Sequence, residues 1–417
     1  MPLRQFHIIA GGFCGVISLK FWISQLDGLL RGLIRTGTLE IGWPDGSESR
    51  YGRDGDTIRI DIHDKATPRR LLLRPELAIG EAYMWGHLTI KDDNLQGMLA
   101  LLAENARARQ FGRFKTVLPA IRRATRRVTQ ANGLTRARQN VEHHYDLSVD
   151  LYELFLDEDL QYTCGYFPRP GMTIEEAQAA KKAHIARKLV IEPDMRILDI
   201  GCGWGGMAIT LARDFGARVT GVSLSKVQLT HASKRAEAAG VADRIEWRLA
   251  DYRTLREEFD RIVVVGMMEH VGLPNYPTFF DRIRRNLTHD GIALVHTIGR
   301  ATPPGLTAPF IDKYIFPGCY TPSLSEVMRD VERSGLIATD IEVWRMHYVH
   351  TLRAWQEKFE ANRDAIAAMY DETFIRMWRY YLVASEIGFT HLANEVFQIQ
   401  LTRHQEAAPL TRDYMLG

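Results

Sequence analysis

The stretch LDIGCGWGG, Leu198 to Gly206, sets Gly201, Gly203 and Gly206 between an apolar run and a helix-like segment, MAITLARDFG. Glycine in such a turn lets a backbone approach a ligand closely, and the N-terminus of the following helix favours negative charge. The letters match the dinucleotide pattern G-x-G-x-x-G, but a dinucleotide site also asks for an acid about twenty residues onward to hold the ribose diol. The second strand here ends VTGVSLS, with Ser223 and Ser225 and no acid. Acids stand elsewhere. Asp199 lies two residues before the glycines, placed to meet a ligand with a cationic head, and Asp251, in LADYR, is placed to accept a hydrogen bond from an adenine amino group. Glu269 follows the apolar run IVVVGMM, at the carboxyl end of a strand, the edge where ligands bind in parallel sheets.

These residues need strands and helices to hold them. From Arg196 the two alternate: RILDI, a helix from about Trp204, ARVTGVSL, a helix from about Ser225, RIEWRL, RIVVVGM, a helix near Tyr276 to Leu287, and GIALVHTI. That rhythm predicts a parallel sheet with helices on both faces. ATDIEVWRM and NEVFQIQLTR read as late strands flanking a long helical insert rich in Trp, Phe and Tyr. Further upstream, FWISQLDGLLRGLI has the pattern of an amphipathic helix, and TLEIGWPDGSESRYG reads as strand, Pro-Asp-Gly turn and strand. DTIRIDIHD alternates like a further strand, so the first part of the chain is a small α+β unit.

The 417 residues, 46% hydrophobic and 25% charged, suffice for two or three packed domains and exclude disordered and fibrous classes. Four scattered cysteines (Cys14, Cys164, Cys202, Cys319) form neither a zinc spacing nor a disulfide framework, and free thiols in a reducing compartment are expected. His143 and His144 are adjacent rather than three or four apart, so no metal site is expected. FHIIAGGFCGVISL near the N-terminus is too short to span a bilayer and no A-x-A cleavage pattern follows it, which favours a cytoplasmic protein. The net charge is only +2, yet residues 105–141 carry ten Arg or Lys and no acid, leaving −8 for the rest. Within that segment, IRRATRRV places Arg122, Arg123, Arg126 and Arg127 on one helical face. Such charge suits an anionic bilayer surface or a solvated linker; no nucleic-acid recognition motif accompanies it.

An acid at strand one, the glycines, then an acid at strand three is a pattern that resembles the class I S-adenosylmethionine methyltransferases. The motifs HYDLSVDLYELFLDEDLQYTCGYF, LDIGCGWGG, GVSLSKVQ, DYR, GMMEHVG, LVHTIG and KYIFPG, in this order, resemble the cyclopropane-fatty-acyl-phospholipid synthase family over about Val141 to Arg403, and GEAYMWG resembles that family's accessory domain. The resemblance implies an α/β fold, a class I methyltransferase (Rossmann-like) doubly wound sheet with a helical lid insert, preceded by a small α+β N-terminal domain. It divides the chain into an accessory domain, 1–111, for lipid sensing or dimerisation, a basic linker, 112–140, and a catalytic domain, 141–417.

The activity it implies is transfer of the sulfonium methyl of S-adenosylmethionine onto a cis double bond of a phospholipid acyl chain, followed by ring closure, with bound bicarbonate as proton acceptor. By the resemblance, the bicarbonate ligands are Cys164, Glu269, His296, the backbone of Ile298, and Tyr348. Tyr162 and Thr163 close over the methionine part, the family more often carrying Ser at the second position. Asp199, Gly201, Gly203 and Trp204 form the turn, Ser223 and Gln228 face the ribose side, and Asp251 with Tyr252 face the adenine. Expected partners are a phospholipid bilayer with unsaturated acyl chains, met peripherally through basic segment 107–138 on the inner face of the membrane, and a second copy in a homodimer; no nucleic acid is expected. The aromatic insert, with Phe310, Tyr314, Phe316, Trp355, Phe359, Trp378, Tyr380 and Tyr381, is expected as a lid over the carboxyl edge of the sheet. Methylation without ring closure stays open as an alternative. A non-catalytic lipid-surface protein is disfavoured by the full set Asp199, Glu269 and His296, and an NAD-linked oxidoreductase by the missing ribose acid.

Overall fold

The structure, a computed structural model, describes residues 18–110 and 148–415. The chain forms two units, Met1–Arg109 and Gln110–Gly417. The basic segment 107–138 lies almost wholly outside the described residues, as do His143 and His144.

In the first unit, helix α1 (Leu19–Leu33) begins where the Ser18 hydroxyl accepts from the Phe21 N–H, and it buries Ile23, Leu26 and Leu30, one stripe at helical spacing. Strands β1 (Thr38–Gly42), β2 (Glu48–Gly52), β3 (Thr57–Ile62) and β4 (Leu88–Ile90) form a sheet in the order β2-β1-β3-β4. The β1–β2 pair is the antiparallel hairpin that the Pro-Asp-Gly turn predicts, and β3 pairs parallel with β1. Ile58, Ile60 and Ile62 bury one face of β3. Helices α2 (Thr67–Leu73) and α3 (Pro75–Met84) each carry proline in the first turn, where its missing N–H is harmless, and α4 (Leu95–Gln110) ends the unit.

The second unit opens with α5 (Val149–Phe155) and α6 (Ile174–Lys188), the latter started by a capping box between Thr173 and Glu176. It continues as β5 (Arg196–Ile200), α7 (Gly206–Phe215), β6 (Arg218–Ser223), α8 (Lys226–Ala238), β7 (Ile245–Leu249), β8 (Phe259–Val265), α9 (Tyr276–Asn286) and β9 (Leu287–Arg300). Then come α10 (Pro309–Tyr314), α11 (Leu324–Ser334), β10 (Ile337–Trp344), α12 (His347–Ala361), α13 (Arg363–Met369), α14 (Glu372–Thr390) and β11 (Asn394–Thr402). The seven strands lie in the order β10-β11-β9-β8-β5-β6-β7. Strands β5 to β9 pair in parallel, and the order reverses at β5, which lies between β6 and β8. This is a class I methyltransferase fold, an α/β doubly wound sheet. Ile262, Val263 and Val264 are successive and fully buried, as a strand covered on both faces requires.

The strands expected to be parallel are so, and of the two late strands, whose direction the sequence left open, β11 runs antiparallel to both β9 and β10. Apolar composition marks a buried strand but does not encode its direction. The aromatic insert is also two pieces rather than one, 301–323 between β9 and α11, and 345–393 between β10 and β11. Among the described residues no helix is long and apolar enough to cross a membrane.

The core against α9 and α11 gathers Ile262, Phe279, Phe280 and Phe397 around the middle of the sheet. We expect Ile262→Ala to lower unfolding free energy by about 2–5 kcal/mol, read from denaturant midpoints at unchanged slope; a shift under about 1 kcal/mol would show a core that recloses over the void.

Candidate functional site

The carboxyl ends of β5, β6, β8 and β9 meet at one edge. Gly201, Gly203 and Gly205 all hold positive φ, and the Gly201 and Cys202 N–H groups both donate to the Val222 carbonyl, folding the turn over β6. The sequence pattern named Gly206 as its third glycine, yet the left-handed residue is Gly205. Gly206 is needed for another reason: a Cβ there would collide with the Gln161 amide and the Asp159 carboxylate, which lie against the helix start.

Asp199, next to last in β5, is buried, and its Oδ2 has no hydrogen-bond partner among the described residues. Burial alone raises its pKa from 3.8 to about 7. An unpaired buried carboxyl at a strand end is suited to take a cation or a hydrogen-bond donor. Of the other turn-side residues, Trp204 is buried against Tyr152 and His231, with its carbonyl accepting from Arg235 at 2.7 Å. Ser223 donates to Gln228 Oε1 at 3.1 Å. The Asp251 carboxylate is already engaged by the Arg253 backbone N–H and guanidinium at 2.6 to 2.9 Å, which leaves it little accepting capacity for a ligand. Tyr252 packs edge-on against Phe279.

Glu269 sits in a 3-10 turn after β8, buried, with Oε1 accepting from the Ile298 N–H at 2.6 Å and Oε2 without a partner among the described residues. The Ile298 amide therefore serves Glu269 in this structure. Burial raises the Glu269 pKa from 4.5 to about 7, against the Ile298 hydrogen bond, which lowers it. His296 lies two residues before Ile298 on β9 and pairs in register with Gln398 of β11. Gln398 Nε2 donates to His296 Nδ1 at 3.1 Å, which leaves the ring hydrogen on Nε2. Desolvation holds the ring neutral, far below its ordinary 6.5.

Cys164 and Tyr348 arrive from outside the sheet. Helix α12 accepts the Gly165 N–H on Thr351 Oγ1 at 2.9 Å and the Phe167 N–H on His347 Nδ1 at 3.0 Å, so the segment bearing Cys164 is tied to the helix bearing Tyr348. Both side chains belong to one buried cluster. Burial raises both pKa values, that of Tyr348 further through its neighbours Tyr381, Cys164 and Glu269. Tyr348 thus lies in one dry region with Cys164 and Glu269, and His296 borders it against Trp344 of the same cluster; burial keeps Cys164, His296 and Tyr348 neutral. Tyr162 donates to the Tyr381 hydroxyl at 2.7 Å, and its ring meets Phe316 and Trp355. Of the insert aromatics, Phe359 and Trp378 are fully buried core, Trp355 is fully buried and also meets Tyr162, and Phe316 and Tyr381 reach Tyr162 and each other. His289, Asp290 and His404 form a surface group of possible metal ligands near the start of β9, away from this site.

Sequence reasoning missed Lys181, Gln161, Asp159 and Arg235. Lys181 Nζ donates to Gln161 Oε1 and Thr163 Oγ1, each at 2.7 Å; Asp159 accepts from Lys182 at 2.5 Å and from Arg235. A signal existed: Gln178, Lys181 and Lys182 share one helical face with buried Ala177 and Ile185.

A pH prediction follows. Between 3.8 or 4.5 and about 7 the folded protein keeps protons on Asp199 and Glu269 that the unfolded chain releases, so stability falls as pH rises through that window. Lys181, lowered from 10.5 to about 7, acts oppositely above 7, where the unfolded chain holds the extra proton. We expect the double variant Asp199→Asn, Glu269→Gln to flatten the acid limb of unfolding free energy against pH; an unchanged slope would place those protons elsewhere.

Residues 132–399 match the mycolic acid cyclopropane synthetase family, and residues 28–110 match a domain family of unknown function. The chain is 37% identical over 340 residues to cyclopropane-fatty-acyl-phospholipid synthase of Escherichia coli K12, covering 81% of this chain and 86% of that protein. It is 34% identical over 357 residues to tuberculostearic acid methyltransferase UfaA1 of Mycobacterium tuberculosis, covering 81% of each. The solved mycolic acid cyclopropane synthase CmaA1, complexed with SAH and CTAB, superposes with a TM-score of 0.61 at 33% identity over 63% of this chain and 97% of that one. With a methyltransferase sheet, an unpaired acid beside the glycine turn and a family match over residues 132–399, the chain belongs to the cyclopropane synthase family of S-adenosylmethionine-dependent methyltransferases.

Proposed function

We propose that this protein transfers the methyl carbon of S-adenosylmethionine to a cis double bond of an unsaturated phospholipid acyl chain and closes a cyclopropane ring, with bicarbonate as proton acceptor. The observation that carries this reading is the dry cluster of Cys164, Glu269, His296 and Tyr348 beside the glycine turn. The residues fit both groups. A neutral thiol, an imidazole Nε2–H and a phenol are donors for an anion, and the unpaired Asp199 Oδ2 suits an ammonium. Bound there, S-adenosylmethionine supplies an electrophilic methyl and bicarbonate a base.

The chain's own residues supply alignment and shielding. An alkene is a poor nucleophile, so rate must come from holding methyl and double bond in line rather than from a side-chain base. Tyr162, held by Tyr381 and walled by Phe316 and Trp355, gives a π-rich lining that excludes water from a developing carbocation. Glu269, fixed through Oε1 by the Ile298 amide, keeps Oε2 to accept the hydroxyl proton of the anion and so raise its basicity. His296, locked by Gln398, donates from Nε2. Segment 107–138 docks the enzyme peripherally on an anionic bilayer, and the accessory region 1–111 senses lipid or joins two copies. The basic linker 112–140 separates it from the catalytic region 141–417.

A second reading, methyl addition without ring closure, is favoured by the likeness to a protein named tuberculostearic acid methyltransferase. Incubation with S-adenosylmethionine and vesicles of cis-monounsaturated phospholipid separates the two. Acyl chains heavier by one CH2 with the alkene lost mark the ring, and the same gain with unsaturation retained marks methyl addition. No gain would sink both.

At saturating donor, turnover should rise with pH through about 7 as Glu269 ionises. Glu269→Gln should lower kcat by about 10²- to 10⁴-fold and abolish that rise, with S-adenosylmethionine affinity changed less than about threefold. Matching losses in affinity and turnover would contradict the assigned role. Neutralising Arg122, Arg123, Arg126 and Arg127 should weaken sedimentation with anionic vesicles, by about 1 kcal/mol per residue at low salt and less at high salt. Unchanged sedimentation would return the segment to a linker.

A further inference from the structure

Helix α6 presents Gln178, Lys181 and Lys182 on one face, and against it runs the segment Asp157 to Cys164. Gln178 Nε2 donates to the carbonyls of Gln161 and Thr163 at 3.3 and 2.8 Å. Lys182 bonds Asp159. Lys181 is fully buried and donates to Gln161 Oε1 and Thr163 Oγ1, with no carboxylate in direct contact among the described residues. A buried lysine without a bonded counter-ion is rare because its charge is stripped of water. Desolvation lowers its pKa to about 7; the charges facing it are Asp157, Asp159, Lys182 and Cys164, and its own charge reaches His296. A neutral amine has two N–H groups, and two acceptors are present for them.

Thr163 is held from the other side as well. A Cβ on Gly266, just past β8, would lie 2.6 Å from the Thr163 methyl, so the methyl rests in the space this glycine leaves. With the methyl on Gly266 and Oγ1 receiving the Lys181 hydrogen, the rotamer is fixed and the hydroxyl's own hydrogen is turned toward other acceptors.

We propose that Lys181 is a positioning residue of the donor site: acting through Thr163, it sets the hydroxyl, and with it the Tyr162–Cys164 segment, over bound S-adenosylmethionine. This rests on the reading that Tyr162 and Thr163 close over the methionine part. Lys181→Met keeps the side-chain volume but leaves Gln161 Oε1 and Thr163 Oγ1 without the Lys181 donor, so Lys181→Gln, which retains an N–H donor, is measured beside it.

The experiment is a double-mutant cycle of Lys181→Met and Thr163→Val in the full chain, read by calorimetric S-adenosylmethionine binding, by kcat and KM on unsaturated vesicles, and by melting temperature. Lys181→Met should weaken binding and raise the donor KM by about tenfold, leave kcat at saturating donor within about threefold, and add nothing to the loss in Thr163→Val. Thr163→Ser, which keeps the hydroxyl, should bind nearly as wild type. Binding unchanged in Lys181→Met, or losses that add fully to those of Thr163→Val, would overturn the inference. A lowered melting temperature with donor affinity intact would also overturn it, as it marks structural support only. Wild-type protein that fails to bind S-adenosylmethionine would instead overturn the underlying reading, so the two failures are distinct.

Discussion

Exclusion of water from the carboxyl edge of β5, β8 and β9 is the constraint from which the site's other properties follow. Asp199, Glu269 and Lys181 each have their pKa drawn to about 7, two from below and one from above, because the charged form of each is disfavoured there. His296 is neutral for the same reason. In a dry site each remaining charge and dipole acts more strongly than in water, and a single misplaced one is expensive. This explains why hydrogen-bonding groups in the pocket are so closely governed by their neighbours. Glu269 is aimed by a backbone amide, and the His296 tautomer is chosen by the residue opposite it in the ladder.

Dryness also demands a cover, and the cover is interlocked with the glycine turn. Asp159 binds Lys182 of α6 and Arg235 of α8, and the other arm of Arg235 holds the Trp204 carbonyl inside the turn. Gln161 joins Asp159 to Lys181. One polar network therefore connects the segment above the site, the turn below it and two helices beside it. Its charges are mostly screened from solvent, so it specifies one arrangement rather than contributing much net stability. The missing side chain at Gly206 is what allows the cover to approach so closely.

This arrangement marks how far the sequence could be read. Most parallel strands were legible because they combine a buried apolar run with a turn at the end, whereas β7, with only Ile245 buried, rested on the alternating rhythm; Asp199 and Glu269 stood out as acids at the ends of such runs. Direction was not: β11 reads like its neighbours but runs against them. Nor were partnerships across the chain. Gln398 meets His296 only because the β9–β11 register pairs residues 102 apart, and Lys181 meets Thr163 only once α6 has docked. Asp251 was readable as an acid at a strand end, but not its engagement by Arg253, two residues on, which uses three of its accepting sites. Aromatic spacing likewise did not separate Phe359 and Trp378, which fill the core, from Phe316, Trp355 and Tyr381, which also contact Tyr162.

The raised Glu269 pKa bears on why a carboxyl group stands where an anion is proposed to sit. Two fully ionised groups in a dry pocket repel strongly, so a bound anion and an ionised Glu269 are compatible only if a proton lies between them. A carboxyl of ordinary acidity would leave that proton wholly on the anion. One near 7 shares it, and a shared proton lets the anion gain basicity without a second full charge appearing. The neutral donors Cys164, His296 and Tyr348 suit this economy, since a cation in direct contact would stabilise the anion and blunt it as a base. Lys181 bonds Thr163 and Gln161 rather than any of these donors, and burial draws it toward neutrality.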